Sequence, residues 1–329
     1  MSEKVKAIGI LSGGLDSMLA AKVLQEQGIE ILGITFVTPF FGPEAGIEAG
    51  RKAGIPLLAV DISAKHFEML KNPRYGYGSR MNPCIDCHGL MLQEAGKIME
   101  REGAAFLFTG EVLAQRPMSQ RRDSMRSVEK LSGFPGRVLR PLSAKLLTPT
   151  IVELEGLVDR ERLLDIQGRS RRRQKELAEH YGISDYPQPG GGCMLTSEGF
   201  SKRLHALLGN YPGATVSDVE IIKCGRAFLL PGKSICMVGR QLSDNLKMES
   251  IARDSDVFLR PLDCPGPTSL LLSCEDPSGD MQMAAELVAS YSDAPQDTPV
   301  AVEWRHNGKS GTCIALAKTR AAFKDMLLT

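Results

Sequence analysis

The sequence predicts an α/β protein, a doubly wound parallel sheet followed by a smaller α+β domain. Three observations carry that reading. Short, nearly unbroken apolar runs alternate with amphipathic stretches through the first half, as strands buried on both faces alternate with crossover helices. The first run opens into a glycine-rich turn, Ser12-Gly13-Gly14-Leu15-Asp16-Ser17. Beyond residue 211 the pattern changes to short runs with one clear helical stretch.

In chain order, residues 7–11 read as a strand, and 18–27 as a helix with Leu19, Val23 and Leu24 on its apolar side. Residues 29–37 form a near-continuous apolar strand, 44–53 a helix and 56–61 a strand. A helix over 93–102, a strand over 105–109 and a short strand over 138–140 follow. A helix over 149–159 is opened by its proline. The breakers of 186–192, YPQPGGG, deliver Cys193. Residues 200–208 read as a basic helix and 210–213 as a linker, which places the domains at 1–210 and 211–329. In the second domain, 215–224, 227–230, 235–238, 257–259 and 269–272 read as strands, and 281–291 as the main helix.

The 329 residues suffice for two domains, and 43% apolar with 24% charged residues is the balance of a globular protein. Apolar runs fall short of the roughly 18 residues of a membrane span. The opening MSEKVKAIGIL is too short for a signal peptide. A cytoplasmic protein with no membrane partner is expected. Net charge is only +1, yet Arg116, Arg121, Arg122 and Arg126 fall in one stretch and Arg169, Arg171, Arg172 and Arg173 in another. Such runs suit either a polyanion contact or a solvated helix face.

The 12–17 turn aims backbone N–H groups at an anion, and its glycines let the backbone approach closely. Ser12 and Ser17 add hydroxyls, and Ser17 can cap the following helix. Asp16 among phosphate donors makes sense if a nucleotide brings Mg²⁺. Parallel sheets bind ligands beyond the carboxyl ends of their strands, so Thr109-Gly110-Glu111 can line the same crevice.

Eight cysteines in such a chain indicate metal or thiol chemistry rather than a disulfide framework. Cys84 and Cys87 form C-x-x-C, and Cys193 on its Gly-rich loop can close a site with them. Three thiolates fit a [4Fe–4S] cluster with one iron free of protein ligands. A zinc with His88 as fourth ligand, metal-free persulfide chemistry and inert thiols remain open. Cys224, Cys236, Cys264, Cys274 and Cys313 read as small buried hydrophobes.

The spelling SGGLDS resembles the PP-loop of N-type ATP pyrophosphatases, of adenine nucleotide alpha-hydrolase-like fold, which cleave ATP to AMP and pyrophosphate; no G-x-x-x-x-G-K-[ST] occurs near it. With Asn82-Pro83-Cys84-Ile85-Asp86-Cys87 and Gly192-Cys193-Met194-Leu195-Thr196, the chain resembles tRNA thiolation enzymes. Residues 109–115, TGEVLAQ, followed by Ser119-Gln120, are similar to 4-thiouridine synthetases, and the turn at Cys193 to 2-thiouridylases. The resemblance implies ATP and Mg²⁺ on Ser12, Gly13, Gly14, Asp16, Ser17, Phe36, Gly110, Glu111 and Gln115. It implies a [4Fe–4S] cluster on Cys84, Cys87 and Cys193, with zinc as the runner-up. Cys193 and Cys87 would handle sulfur, with Asp86 either a general base or a turn former. The implied partners are tRNA and a sulfur donor, a cysteine desulfurase or inorganic sulfide. Arg121, Arg122, Arg171, Arg172, Arg173 and Arg240 are the RNA-backbone candidates. 4-Thiouridine synthetases usually carry an RNA-binding module ahead of the PP-loop; here the sequence opens on the PP-loop, so RNA is expected to be held elsewhere.

Val238-Gly239-Arg240, Asp244-Asn245, Asp254-Ser255-Asp256-Val257-Phe258 and Pro265-Gly266-Pro267 together resemble the NFACT-R module, an RNA-binding domain. Lys247, Arg253, Arg260, Arg305 and Lys309 could join Arg240 on phosphates. An aromatic content of 5% argues against extensive base stacking. ATP-dependent amidation and a non-catalytic RNA-binding sensor are the rival functions.

Overall fold

A computed structural model describes residues 4–186, 193–272 and 278–329. It divides into two units, Met1–Cys193 and Met194–Thr329. The first is built from β1 (Lys6–Ile10), α1 (Leu15–Gln25), β2 (Glu30–Val37), α2 (Glu44–Ala53), β3 (Leu57–Asp61) and α3 (Ser63–Lys71). After these come α4 (Cys84–Arg101), β4 (Phe106–Thr109), α5 (Arg122–Ser132), β5 (Val138–Leu139), α6 (Ile151–Leu154) and α7 (Arg172–His180). The five strands are parallel in the order β3-β2-β1-β4-β5.

The period-2 alternation of the strands divides their side chains between two cores. Ala7, Phe106 and Phe108 join Leu19, Leu24 and Ala49 on one face. Ile8, Ile34 and Leu107 join Leu92, Met99 and Val128 on the other. Each fully buried Leu, Ile, Val, Met or Phe side chain among these contributes roughly 1.5–3 kcal/mol. The doubly wound parallel sheet is therefore present as expected.

Several elements differ from expectation for local reasons. Helix α4 begins at Cys84, ahead of the expected 93, with Pro83 at its N-cap. The polar stretch CIDCHG hides its period, because Asp86 and Gly89 are buried there beside Leu92 and Ala95. The expected helix over 149–159 shrinks to α6, followed by Gly156 at φ +69°. Helices α3 and α5 were not anticipated. Arg122 and Arg126 lie on the solvent side of α5, whose Met125 and Val128 face the core.

The second unit contains α8 (Glu198–Asn210), α9 (Val216–Ile222), β6 (Arg226–Leu229), β7 (Ile235–Val238), α10 (Leu242–Ile251) and β8 (Val257–Pro261). It continues with β9 (Ser269–Leu271), α11 (Ser278–Tyr291), β10 (Pro299–His306) and β11 (Lys309–Leu316). Its six strands form an antiparallel sheet in the order β11-β10-β8-β9-β7-β6, packed against Ala284, Leu287 and Val288 of α11. The expected strand over 215–224 is helix α9. Thr215 and Asp218 form a capping box, which overrides the β-branched composition. The β10–β11 hairpin was missed although Asn307 (φ +49°) and Gly308 (φ +71°) supply its two-residue turn.

The boundary also falls earlier than the expected 210. Helix α8 buries Leu204 and Leu207 within the second unit, and the supposed linker residue Tyr211 donates its hydroxyl to the Leu272 carbonyl at 2.8 Å. The expected breakers of 187–192 and Cys274 lie outside the described residues. Among the described residues no helix is long and apolar enough to cross a membrane.

Candidate nucleotide and sulfur site

Strand β1 delivers the Gly-rich turn at the carboxyl edge of the sheet. Gly13 sits at φ +85°, and a Cβ there would come within 2.5 Å of Ala45, so both conformation and space require glycine. Gly14 is the N-cap of α1, which leaves the first N–H groups of that helix directed out of its end. Ser17 is not the cap anticipated from the sequence. It lies inside the first turn and donates its hydroxyl back to the Gly14 carbonyl at 2.8 Å. Ser12 is exposed at the mouth of the turn. A Cβ on Gly110 would meet the Ser17 nitrogen at 2.4 Å. The turn after β4 is thus pressed onto the start of α1, and the two turns share one crevice.

Asp16 is the centre of a polar cluster in that crevice. Gln115 Nε2 donates to Asp16 Oδ2 at 2.7 Å, and Gln174 Nε2 donates to Gln115 Oε1 at 3.0 Å. Arg171 Nη2 lies 3.6 Å from Asp16 Oδ1. Asp16 Oδ1 and Arg171 Nε are buried without a hydrogen-bond partner. An orphaned carboxylate oxygen and an orphaned guanidinium N–H side by side suit a metal–phosphate ligand with charges of both signs. Arg171 was grouped with Arg172 and Arg173 for RNA, but its side chain is 15% exposed against their 86% and 50%. It pairs with Asp16 of the 12–17 turn, and its neighbours lie at the surface. Gln174 was missed, since one glutamine in a helix carries no sequence signal of its own.

Glu111 anchors a second, buried network. Burial would raise its carboxyl, but the guanidinium of Arg140 and the ring of His88 hold it at about 2. Arg140 Nε donates to Glu111 Oε2 at 2.9 Å, and its Nη1 reaches Glu129. His88 Nδ1 bonds Glu111 Oε1 at 2.9 Å. Arg140 was not foreseen as part of the site; only the fold brings β5 beside the Glu111 turn.

The cysteines occupy the amino end of α4. Asn82 Nδ2 donates to Cys84 Sγ at 3.2 Å, and His66 Nε2 lies 3.2 Å from Cys87 Sγ. Each sulfur of the C-x-x-C pair therefore has its own nitrogen partner, neither anticipated. Burial lowers His66 to about 4, so its ring is neutral. Its Nδ1 is buried without a partner, which favours the tautomer with the hydrogen on Nε2, pointing at sulfur. Burial pushes the Cys87 thiol well up, and the nearby Cys193 and Cys84 push it further. The structure thereby brings Cys84 and Cys193 each into electrostatic reach of Cys87. None of the described cysteines is in a disulfide. Cys224 and Cys236 are buried as expected, and Cys264 and Cys313 pack against the core of the second unit.

Two expected site residues take structural positions. Asp86 accepts the backbone N–H groups of Arg74 and Tyr75 at 2.8 and 3.0 Å, so it holds a turn and is not a free base. The side chain of Phe36 is buried in the core with Ile34, Ile62 and Leu92, which removes it from any surface open to a nucleotide. Arg121, Arg122 and Arg240 are exposed. In the second unit several of the other basic candidates are engaged within the fold. Arg253 pairs with Asp218 and Asp256, Arg260 with Glu303, and Lys247 with Glu220.

Two soft thiols at the amino terminus of α4, each with a nitrogen partner, and a third thiol from Cys193 near enough to act on Cys87 fit an iron–sulfur cluster in donor chemistry. Among the described residues no group of three or more His, Cys, Asp or Glu side chains is spaced as metal ligands. His88, the zinc alternative's fourth ligand, has its Nδ1 committed to Glu111.

Residues 2–148 match the family model described as thiamine biosynthesis protein (ThiI), and residues 225–322 that of the NFACT protein RNA binding domain. The first unit thus carries a segment similar to the ThiI model, and the second a segment similar to the NFACT RNA-binding model. A probable tRNA sulfurtransferase of Thermotoga maritima is 32% identical over 149 residues, covering 42% of this chain and 36% of that protein. A tRNA-specific 2-thiouridylase, MnmA, of Pelobacter propionicus is 36% identical over 117 residues, covering 30% of this chain and 31% of that protein. The chain thus spans about a third of the length of these curated relatives. A solved structure described as a predicted subunit of a tRNA methyltransferase from Methanocaldococcus jannaschii aligns at TM-score 0.35 and 14% identity, over 54% of this chain and 76% of that one.

Proposed function

We propose that this chain is an ATP-dependent tRNA sulfurtransferase. The observation that carries the reading is the His88–Glu111 hydrogen bond of 2.9 Å. It ties the helix bearing Cys84 and Cys87 to the turn that closes the nucleotide loop, so activation and sulfur delivery fall at one sheet edge.

In this reading the N–H groups of the 12–17 turn hold the ATP phosphates. Asp16 faces the Mg²⁺ they carry, and Arg171 supplies positive charge beside it. The uracil carbonyl oxygen attacks the α-phosphorus, and pyrophosphate leaves. The resulting adenylated base has AMP as a leaving group on its carbon. A sulfur nucleophile attacks that carbon, the C–O bond breaks, and AMP departs. Along the residue-only route, the sulfur is the terminal atom of a persulfide on Cys193, loaded by the sulfur donor. A thiolate at Cys84 or Cys87 attacks the Cys193 sulfur and forms a disulfide as the thiolated base is released; a cellular dithiol then reduces it. Cys84, Cys87 and Cys193 are also the residues that would hold a [4Fe–4S] cluster. When bound, a cluster with one open iron supplies a site for hydrosulfide.

Nucleoside mass spectrometry of tRNA, from cells with and without the gene, tests the activity; loss of one thiolated uridine is the expected result. With purified protein, Cys193→Ala is expected to abolish thiolated product while pyrophosphate release persists. Thiolation at the normal rate by Cys193→Ala would defeat both sulfur routes. Anaerobically purified protein is expected to be brown with bound iron; a colourless, iron-free protein that still thiolates would leave the persulfide route.

A further inference from the structure

The loop over residues 73–82, between α3 and the C-x-x-C pair, has no part in the chemistry above, yet it is fastened at many points. Asp86 takes the N–H groups of Arg74 and Tyr75. Tyr77 donates its hydroxyl to the Leu70 carbonyl at 2.6 Å. Gly78 N–H donates to the Asn82 carbonyl at 3.0 Å, and Arg80 N–H to Asn82 Oδ1 at 3.2 Å. The same Asn82 amide donates to Cys84 Sγ. A Cβ on Gly78 would lie 2.4 Å from Met118 Sδ, so the loop abuts the segment that carries Arg116 and Arg121.

This fixed backbone presents rings and cations outward. Tyr75 and Tyr77 are 41% and 37% exposed, and Arg74 and Arg80 are exposed beside them. Among the described residues neither tyrosine ring is taken by an aromatic or cation contact. Aromatic faces flanked by guanidinium groups are what an unstacked base and its phosphates require. A rigid platform loses little entropy on binding.

We propose that the 73–82 loop receives an unpaired nucleotide of the RNA substrate, with the base stacked on Tyr75 and a flanking phosphate on Arg74, next to Cys84. The inference rests on the sulfurtransferase reading and adds that the substrate segment is single-stranded at the site. Tyr77 acts through its Leu70 bond, as a support for the loop.

The test is RNA binding by the full chain, measured by fluorescence anisotropy with a short unpaired uridine-containing oligonucleotide and with a fully paired duplex. Tyr75→Ala is expected to weaken binding of the unpaired RNA about tenfold, the worth of one stacked base. Tyr75→Phe should retain it, and duplex binding should be unchanged. Arg74→Ala should weaken binding and flatten its salt dependence. Ultraviolet crosslinking of the wild type to the same RNA, mapped by mass spectrometry, should mark peptide 75–80, which keeps the proposal testable if Tyr75→Ala misfolds. Wild-type affinity in Tyr75→Ala, with crosslinks mapping elsewhere, overturns the platform alone. No RNA binding by the wild type overturns the sulfurtransferase reading and the platform with it. If Tyr75→Ala keeps RNA affinity but loses affinity for the sulfur-donor protein, the loop is a protein-docking surface and the proposal fails.

Discussion

Glu111 shows how single charges are placed here by several elements at once. The carboxylate meets Arg140 from just after β5, His88 from α4 and the Thr109 hydroxyl at 3.2 Å. Its carboxyl is held at about 2, below the ordinary 4.5. A depressed carboxyl contributes stability that is complete above its unfolded value and lost as pH falls through the folded one. Acid unfolding of the first unit is therefore expected to develop between about pH 4.5 and pH 2. Glu111→Gln should remove that dependence and cost about 3 kcal/mol at neutral pH, because it leaves buried Arg140 with Glu129 as its remaining carboxylate. Urea melts at a series of pH values check both; an unchanged midpoint in Glu111→Gln would show that the pair is idle. Glu111 was legible from the TGE spelling, whereas Arg140, His66 and Gln174 were not. Their partners are distant in sequence, and no local pattern marks a side chain whose role is set by what folds onto it.

At the scale of elements, the turn after β4 and the start of α1 are fitted backbone to backbone. Gly110→Ala would set a methyl 2.4 Å from the Ser17 nitrogen, and no flexible side chain can yield there. The variant should lose about 1–3 kcal/mol of stability and the stabilisation that ATP confers. Gly209→Ala is the contrast. It lies inside α8 with nothing within 4 Å of the added carbon, and it should stabilise by about 0.5–1 kcal/mol. Thermal unfolding with and without ATP separates the two. Elements with an unmixed signal, such as β2, α2 and β7, were read closely from sequence. Helix α9 and the first turns of α4 were not. In α9 a cap outweighed β-branched composition, and in α4 buried polar residues replaced an apolar stripe.

For the whole molecule, two units of different architecture follow one another on the chain. The match of residues 225–322 to an RNA-binding domain accompanies surface cations in both units, among them Arg74 and Arg122 in the first and Arg240 and Lys309 in the second. If RNA is the partner, affinity comes largely from phosphate contacts and falls linearly on a log–log plot with salt, by about 0.7–0.9 per contact made. Titrations of tRNA at several salt concentrations are expected to give a slope worth several contacts. A slope near zero would exclude an electrostatic RNA interface.

The sequence by itself determined the parallel sheet, the Gly-rich turn between β1 and α1 and the set of three cysteines. Each is a local or periodic property: strand alternation, the φ that Gly13 needs, the spacing of C-x-x-C. Tertiary structure alone decided that Arg171 pairs with Asp16 of the Gly-rich turn, that Asp86 holds a turn and Phe36 a core. It also decided that each thiol of the pair faces a nitrogen. These are contacts between segments far apart in the chain, fixed by how crossover helices pack on the sheet, and no spacing along the chain encodes them.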